Sequence, residues 1–119
     1  APDLIRTIQD FAKSSSKSIL VAKGNAGIPK YVNGNIHYDG TPELMAKYAV
    51  MVRNSGAKII GGCCGTKSEH LLSMRAALES EVLTLYPSLQ QVELEIGPFT
   101  SRIGNETERS KSKRRRRRV

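Results

Sequence analysis

Two short apolar runs constrain this 119-residue chain more than any other feature: Ser18-Ile19-Leu20-Val21-Ala22 and Ala57-Lys58-Ile59-Ile60. Apolar residues without polar alternation mark a strand covered on both faces, the pattern of a parallel sheet between helix layers. The segments around them have helical period. Pro2 suits a first helical turn and Asp3 favours the positive end of a helix. Leu4, Ile5, Ile8, Phe11 and Ala12 then form one stripe. The Ser14-Ser15-Ser16 run ends that helix. A Gly-, Asn- and Pro-rich stretch from Gly24 to Gly40 reads as a loop. Thr41-Pro42-Glu43 opens a second helix with stripe Leu44, Tyr48, Met51 and Val52, and Gly56 stops it. Thr66-Lys67-Ser68-Glu69 reads as a capping box for a third helix, with Leu71, Met74 and Leu78 on one face.

The order helix, strand, helix, strand, helix makes the two strands parallel, joined by right-handed crossovers. An α/β class follows, either an open doubly wound sheet or part of a (β/α)8 barrel. Two strands leave both sheet edges open, and a full barrel takes about 250 residues. The expectation is therefore a portion of a larger fold. After Ser80 the pattern loosens. Val92-Glu93-Leu94-Glu95-Ile96 alternates as one exposed strand would, Gly97-Pro98 breaks it, and the polar, charged residues 101–119 read as a disordered basic tail. The organisation expected is thus 1–80, an extension over 81–100, and the tail.

The net charge of +8 invites a nucleic-acid reading, but its distribution argues against a basic fold. Eight cations and no acids lie from Arg109 onward, leaving 11 basic against 11 acidic residues in 1–108. No apolar stretch reaches the ~20 residues of a membrane span. Without a charged-then-apolar leader at the start, a cytoplasmic protein is expected.

The only two cysteines, Cys63 and Cys64, are adjacent. A disulfide between neighbours is strained, so reduced thiols available to a metal are the better reading. They fall between a strand and a capped helix, at the strand end where parallel sheets place functional sites. Gly61, Gly62 and Gly65 let the backbone turn there. Softness favours zinc, and a catalytic zinc takes three protein ligands and keeps one open position. The bland alternative is a buried, inert thiol pair. His70 lies on the following helix, where capping is the commoner role, and His37 sits in the long loop.

Ile59-Ile60-Gly61-Gly62-Cys63-Cys64-Gly65-Thr66, followed by Glu69-His70, resembles the zinc motif of the homocysteine S-methyltransferase family. Val21-Ala22-Lys23-Gly24-Asn25-Ala26-Gly27-Ile28-Pro29 resembles the family's preceding strand and Asn-Ala-Gly loop, with Gly24 where Pro is more usual. The stretch from Asp39 to Met45 resembles the approach to the next helix. The resemblance covers about residues 1–80. It implies a (β/α)8 TIM barrel of which this chain holds about strands 7 and 8 with their helices. It implies Zn2+ as cofactor, Cys63 and Cys64 as two of its three thiolate ligands, and homocysteine as the substrate whose zinc-held sulfur takes a methyl group to form methionine. The third cysteine of the family stands in a Gly-x-Asn-Cys motif just before a segment like Ala1-Pro2-Asp3-Leu4. It is therefore expected from missing sequence or a partner chain carrying the rest of the barrel, and residues 1–119 alone are expected to be inactive. Asn25 and Gly27 are candidates for the substrate's amino-acid end, with a turn requiring Asn and Gly geometry as the alternative. The donor stays open among betaine, a methylated sulfonium compound and methylcobalamin. Two other functions compete. Arg114 to Arg118 could attract polyanions, against a merely solvated tail, or two chains could share one four-thiolate metal site through Cys63 and Cys64.

Overall fold

A computed structural model describes residues 1–15, 17–80 and 86–100. The elements are α1 (Pro2–Ser14), β1 (Leu20–Gly24), β2 (Pro29–Val32), β3 (Asn35–Tyr38), α2 (Pro42–Asn54), β4 (Ala57–Gly62), α3 (Ser68–Ser80) and α4 (Leu89–Ile96). The expected tail over 101–119 lies outside the described residues. Among them, no helix is long and apolar enough to cross a membrane.

The two apolar runs pair as expected. β1 lies parallel to β4, with Val21 opposite Ile59, Ala22 opposite Ile60 and Gly24 opposite Gly62. Side chains alternate across the ribbon. Ala22 and Gly24 are buried, with Gly24 against the Tyr48 ring of α2. Val21 and Ile59 share the opposite face and stand 51% and 56% exposed. Burial on both faces, expected from the apolar runs, is therefore met on one face only by the described residues.

α2 forms the centre of the packing. Thr41 caps it by accepting the Leu44 N–H at 3.2 Å, and Pro42 occupies the first turn. Met45, Tyr48, Ala49, Met51 and Val52 are buried, together with Ile5 and Ile8 of α1 and Met74 of α3. Two stripe residues depart from expectation: Phe11 is 56% exposed and Leu71 is 49% exposed. Each sits at the margin of its helix's apolar stripe, where helical period allows burial without guaranteeing it. Buried Gln9 of α1 donates to Ser55 Oγ at 3.2 Å and to the Pro87 carbonyl at 2.9 Å, tying α1 to the end of α2 and to the chain beyond residue 85.

Two elements differ from the sequence expectation. Within the Gly24–Gly40 stretch, β2 and β3 form an antiparallel hairpin in which Tyr31 faces Ile36. Asn33 and Gly34 close it with φ of 50° and 78°, the paired positive angles of a type I′ turn. The segment 92–96 is helical, not a strand. Ser88 accepts the Gln91 N–H at 3.1 Å, and Val92 and Ile96 lie one turn apart on the packed face. A five-residue window fits both periods, and the cap together with burial of Val92 decides for helix. Past α4, Thr100 donates to the Asp3 carboxylate through its N–H (3.0 Å) and hydroxyl (2.7 Å), and Arg6 lies 5.1 Å from the Phe99 ring centre.

Candidate metal centre

The ends of β1 and β4 continue as two loops laced together. The Cys63 N–H donates to the Gly24 carbonyl (2.9 Å), and the Ala26 N–H donates to the Cys64 carbonyl (2.9 Å). The Cys64 N–H donates to Asn25 Oδ1 at 3.2 Å. Ladder hydrogen bonding therefore runs beyond the strands and fixes the thiol pair against the Asn25–Gly27 loop. Both cysteines are exposed, and their sulfurs stand 3.9 Å apart.

The backbone around the pair tolerates little side chain. Gly65 has φ of +77°, and a Cβ there would fall 2.3 Å from the Tyr38 ring, which comes from the end of β3. A Cβ on Gly62 would fall 2.2 Å from Thr66 Oγ1. The hairpin thus buttresses the Cys turn through Tyr38. Two buried hydroxyls nearby, those of Tyr48 and Thr66, have no hydrogen-bond partner among the described residues. Burial pushes the Tyr48 pKa up to about 12, so the group stays a neutral phenol under ordinary conditions.

α3 starts differently from the expected capping box. Its first residue is Ser68, and the Lys67 N–H is taken by His70 Nδ1 at 3.0 Å. His70 Nε2 lies 2.8 Å from the Gly40 carbonyl. An N–H can only donate and a carbonyl can only accept, so Nδ1 carries the lone pair and Nε2 the proton. Both ring nitrogens are engaged, which removes His70 as a third ligand. His37 is exposed on β3 opposite Lys30.

A model of the homocysteine S-methyltransferase family matches residues 1–78. The chain belongs to that family. Its members are methyltransferases acting on homocysteine, and the matched segment includes both cysteines and the Asn25–Gly27 loop. The donor chemistry of the pair suits zinc. Two thiolates at about 2.3 Å from a tetrahedral zinc stand about 3.8 Å apart, close to the 3.9 Å between these sulfurs. Among the described residues, no three His, Cys, Asp or Glu side chains group as a metal site, so the pair would supply two of the donors a zinc needs.

Asn25 and Gly27, singled out as substrate contacts, both have structural work in the fold. Asn25 receives the Cys64 N–H, and Gly27 takes φ of +93° with its Cα face against the Gly40 backbone. A cavity of about 320 Å3 opens beside them, lined by Ala1, Asp3, Lys23, Asn25, Gly27 and Ile28. The seat of Tyr38 on Gly65 is a site feature with no counterpart among the sequence expectations. The Asn33-Gly34 pair could have revealed the hairpin, but nothing local tells which residue its last side chain meets.

Proposed function

We propose that this chain supplies two of the three zinc thiolates, Cys63 and Cys64, and part of the substrate pocket of a homocysteine S-methyltransferase. The carrying observation is the 3.9 Å sulfur pair held at the C-terminal ends of two parallel strands. Seventh and eighth strands of a (β/α)8 barrel fit that placement, with the uncovered Val21 and Ile59 face turned to the remaining strands. The third thiolate comes from outside residues 1–119, as does the surface that binds the methyl donor. A reducing, cytoplasmic setting keeps both thiols free.

Zinc, when bound, favours the thiolate of homocysteine at neutral pH and leaves its sulfur nucleophilic. The chemistry this would supply is attack of that sulfur on the donor's methyl group, the donor's own bond to the methyl breaking as the new sulfur–carbon bond forms. Cys63 and Cys64 act as ligands and not as attacking groups. The bonds to the Gly24 carbonyl and Asn25 Oδ1 fix the backbone of both cysteines, which leaves less of the turn to be ordered when the substrate enters. Asn25 and Gly27 line the cavity that receives the amino-acid end of homocysteine, where the Asn25 amide and the opposite charges of Asp3 and Lys23 suit a zwitterion.

Cys63→Ser or Cys64→Ser in the full-length protein should abolish zinc retention and methyl transfer together. Retention of both activities by either serine variant would sink the assignment.

A further inference from the structure

The thiol turn, the Asn25–Gly27 loop and the start of α3 belong to one closed circuit of hydrogen bonds. The Ala26 N–H binds the Cys64 carbonyl, the Gly40 N–H binds the Ala26 carbonyl at 2.8 Å, and the Thr66 N–H binds the Cys63 carbonyl at 3.1 Å. What joins Gly40 to α3 is the His70 side chain, taking the Lys67 N–H on one nitrogen and giving a proton to the Gly40 carbonyl from the other. His70 is only 6% exposed, so neither bond is exchanged readily for water. An ordinary capping box needs only an acceptor at this helical position, which Glu or Gln provides. The second nitrogen, aimed away from the helix, does something a cap does not require.

We propose that His70 is a positioning residue for the metal site. By tying the first turn of α3 to the Gly40 carbonyl, it fixes the Cys63–Cys64 turn relative to the Asn25–Gly27 loop. It acts through the backbone and touches neither sulfur. The neutral tautomer protonated at Nε2 is the form that does this, because Nδ1 must stay free to accept. The proposal rests on the reading of Cys63 and Cys64 as zinc ligands and adds the element that keeps them aligned.

Three variants of the full-length protein test it: His70→Ala, His70→Glu and His70→Gln. The readouts are zinc affinity by chelator competition and the sulfur-to-metal charge-transfer absorption of the cobalt-loaded protein. Glu retains an acceptor for the Lys67 N–H but has no proton for Gly40, whereas Gln carries both an acceptor and a donor. The expected result is a loss of about tenfold or more in zinc affinity for Ala and Glu, the size seen when groups orienting metal ligands are removed. Gln should recover most of that loss and restore the cobalt spectrum. Wild-type affinity in His70→Glu would overturn the proposal. Should the substituted proteins fail to fold, nitrogen NMR of wild-type His70 still decides. A ring protonated at Nε2 in both apo and zinc-loaded protein supports the latch, and one protonated at Nδ1 overturns it. Zinc retained after Cys63→Ser or Cys64→Ser would remove the parent reading instead, and would leave the tautomer unchanged.

Discussion

The two β ribbons of this chain are held by different forces. β1 and β4 come from either side of α2, and their register is set by burial: Ala22 and Gly24 press on the core while Val21 and Ile59 look outward. β2 and β3 are joined by two residues, and their register is set by the Asn33-Gly34 turn. The hairpin is exposed from Pro29 to His37, and only Tyr38 at its end is partly buried. A hairpin alone is marginal in water. Among the described residues it is anchored through Tyr38, which packs against the buried core and whose ring sits on Gly65, inside the turn that presents the thiols. The candidate site therefore stands where a ribbon fixed by the core meets one fixed by local turn chemistry. Each contributes what the other lacks, the strand ends from one and a rigid flank from the other.

The largest effect that could break this picture is expected at the junction. Gly65→Ala forces a Cβ into the left-handed region and into the Tyr38 ring, at a cost of roughly 3 kcal/mol. Urea unfolding should show a lowered midpoint, and Tyr38→Ala in the same chain should recover part of it. An unmoved midpoint would mean that the hairpin does not rest on the Cys turn.

A second test probes the buried ribbon through Tyr48, packed beneath Gly24. Burial disfavours its phenolate, so the folded protein keeps that proton to about pH 12 while the unfolded chain releases it near the ordinary value of 10.0. The unfolded state then binds fewer protons, and stability falls as pH rises. The contribution is whole below pH 10 and is lost through the window up to 12, reaching roughly 3 kcal/mol. Tyr48→Phe should flatten that decline relative to wild type. Parallel curves for the two proteins would place the hydroxyl in water.

The smallest effect is expected at the hairpin tip. Gly34 also has positive φ, at 78°, but nothing lies within 4 Å of a Cβ there. Gly34→Ala should cost only about 1 kcal/mol, from the backbone alone. A loss as large as that of Gly65→Ala would erase the distinction between the free and the seated glycine.

Much of the arrangement was legible in the chain, and the misses have physical reasons. Thr41-Pro42 announced α2 because capping is local chemistry, satisfied within four residues. The hairpin is hard to read although Asn33-Gly34 carries its turn signal, because β2 and β3 are only four residues each and bury almost nothing. α4 reads as a strand in sequence because Val92, Leu94 and Ile96 alternate, while Val92 and Ile96 also recur at helical spacing; Leu94 at 86% exposure shows which period holds. Thr66 has the right residue type for a cap, yet its hydroxyl is turned under Gly62 and His70 takes the Lys67 N–H.

By itself the sequence determined the helix–strand alternation, the parallel pairing, the family and the presence of two thiols at a strand end. Each of these rests on period, on capping or on a contiguous motif, and so is written along the chain. Only the tertiary structure decided that the sulfurs stand 3.9 Å apart, that Asn25 receives the Cys64 N–H, and that His70 spends both nitrogens on backbone. The Asn25–Cys64 and His70–Gly40 contacts join residues 39 and 30 positions apart, and the two short-range ones depend on a turn and a helix start fixed by the packing of α2, α3 and the hairpin, which no local pattern encodes.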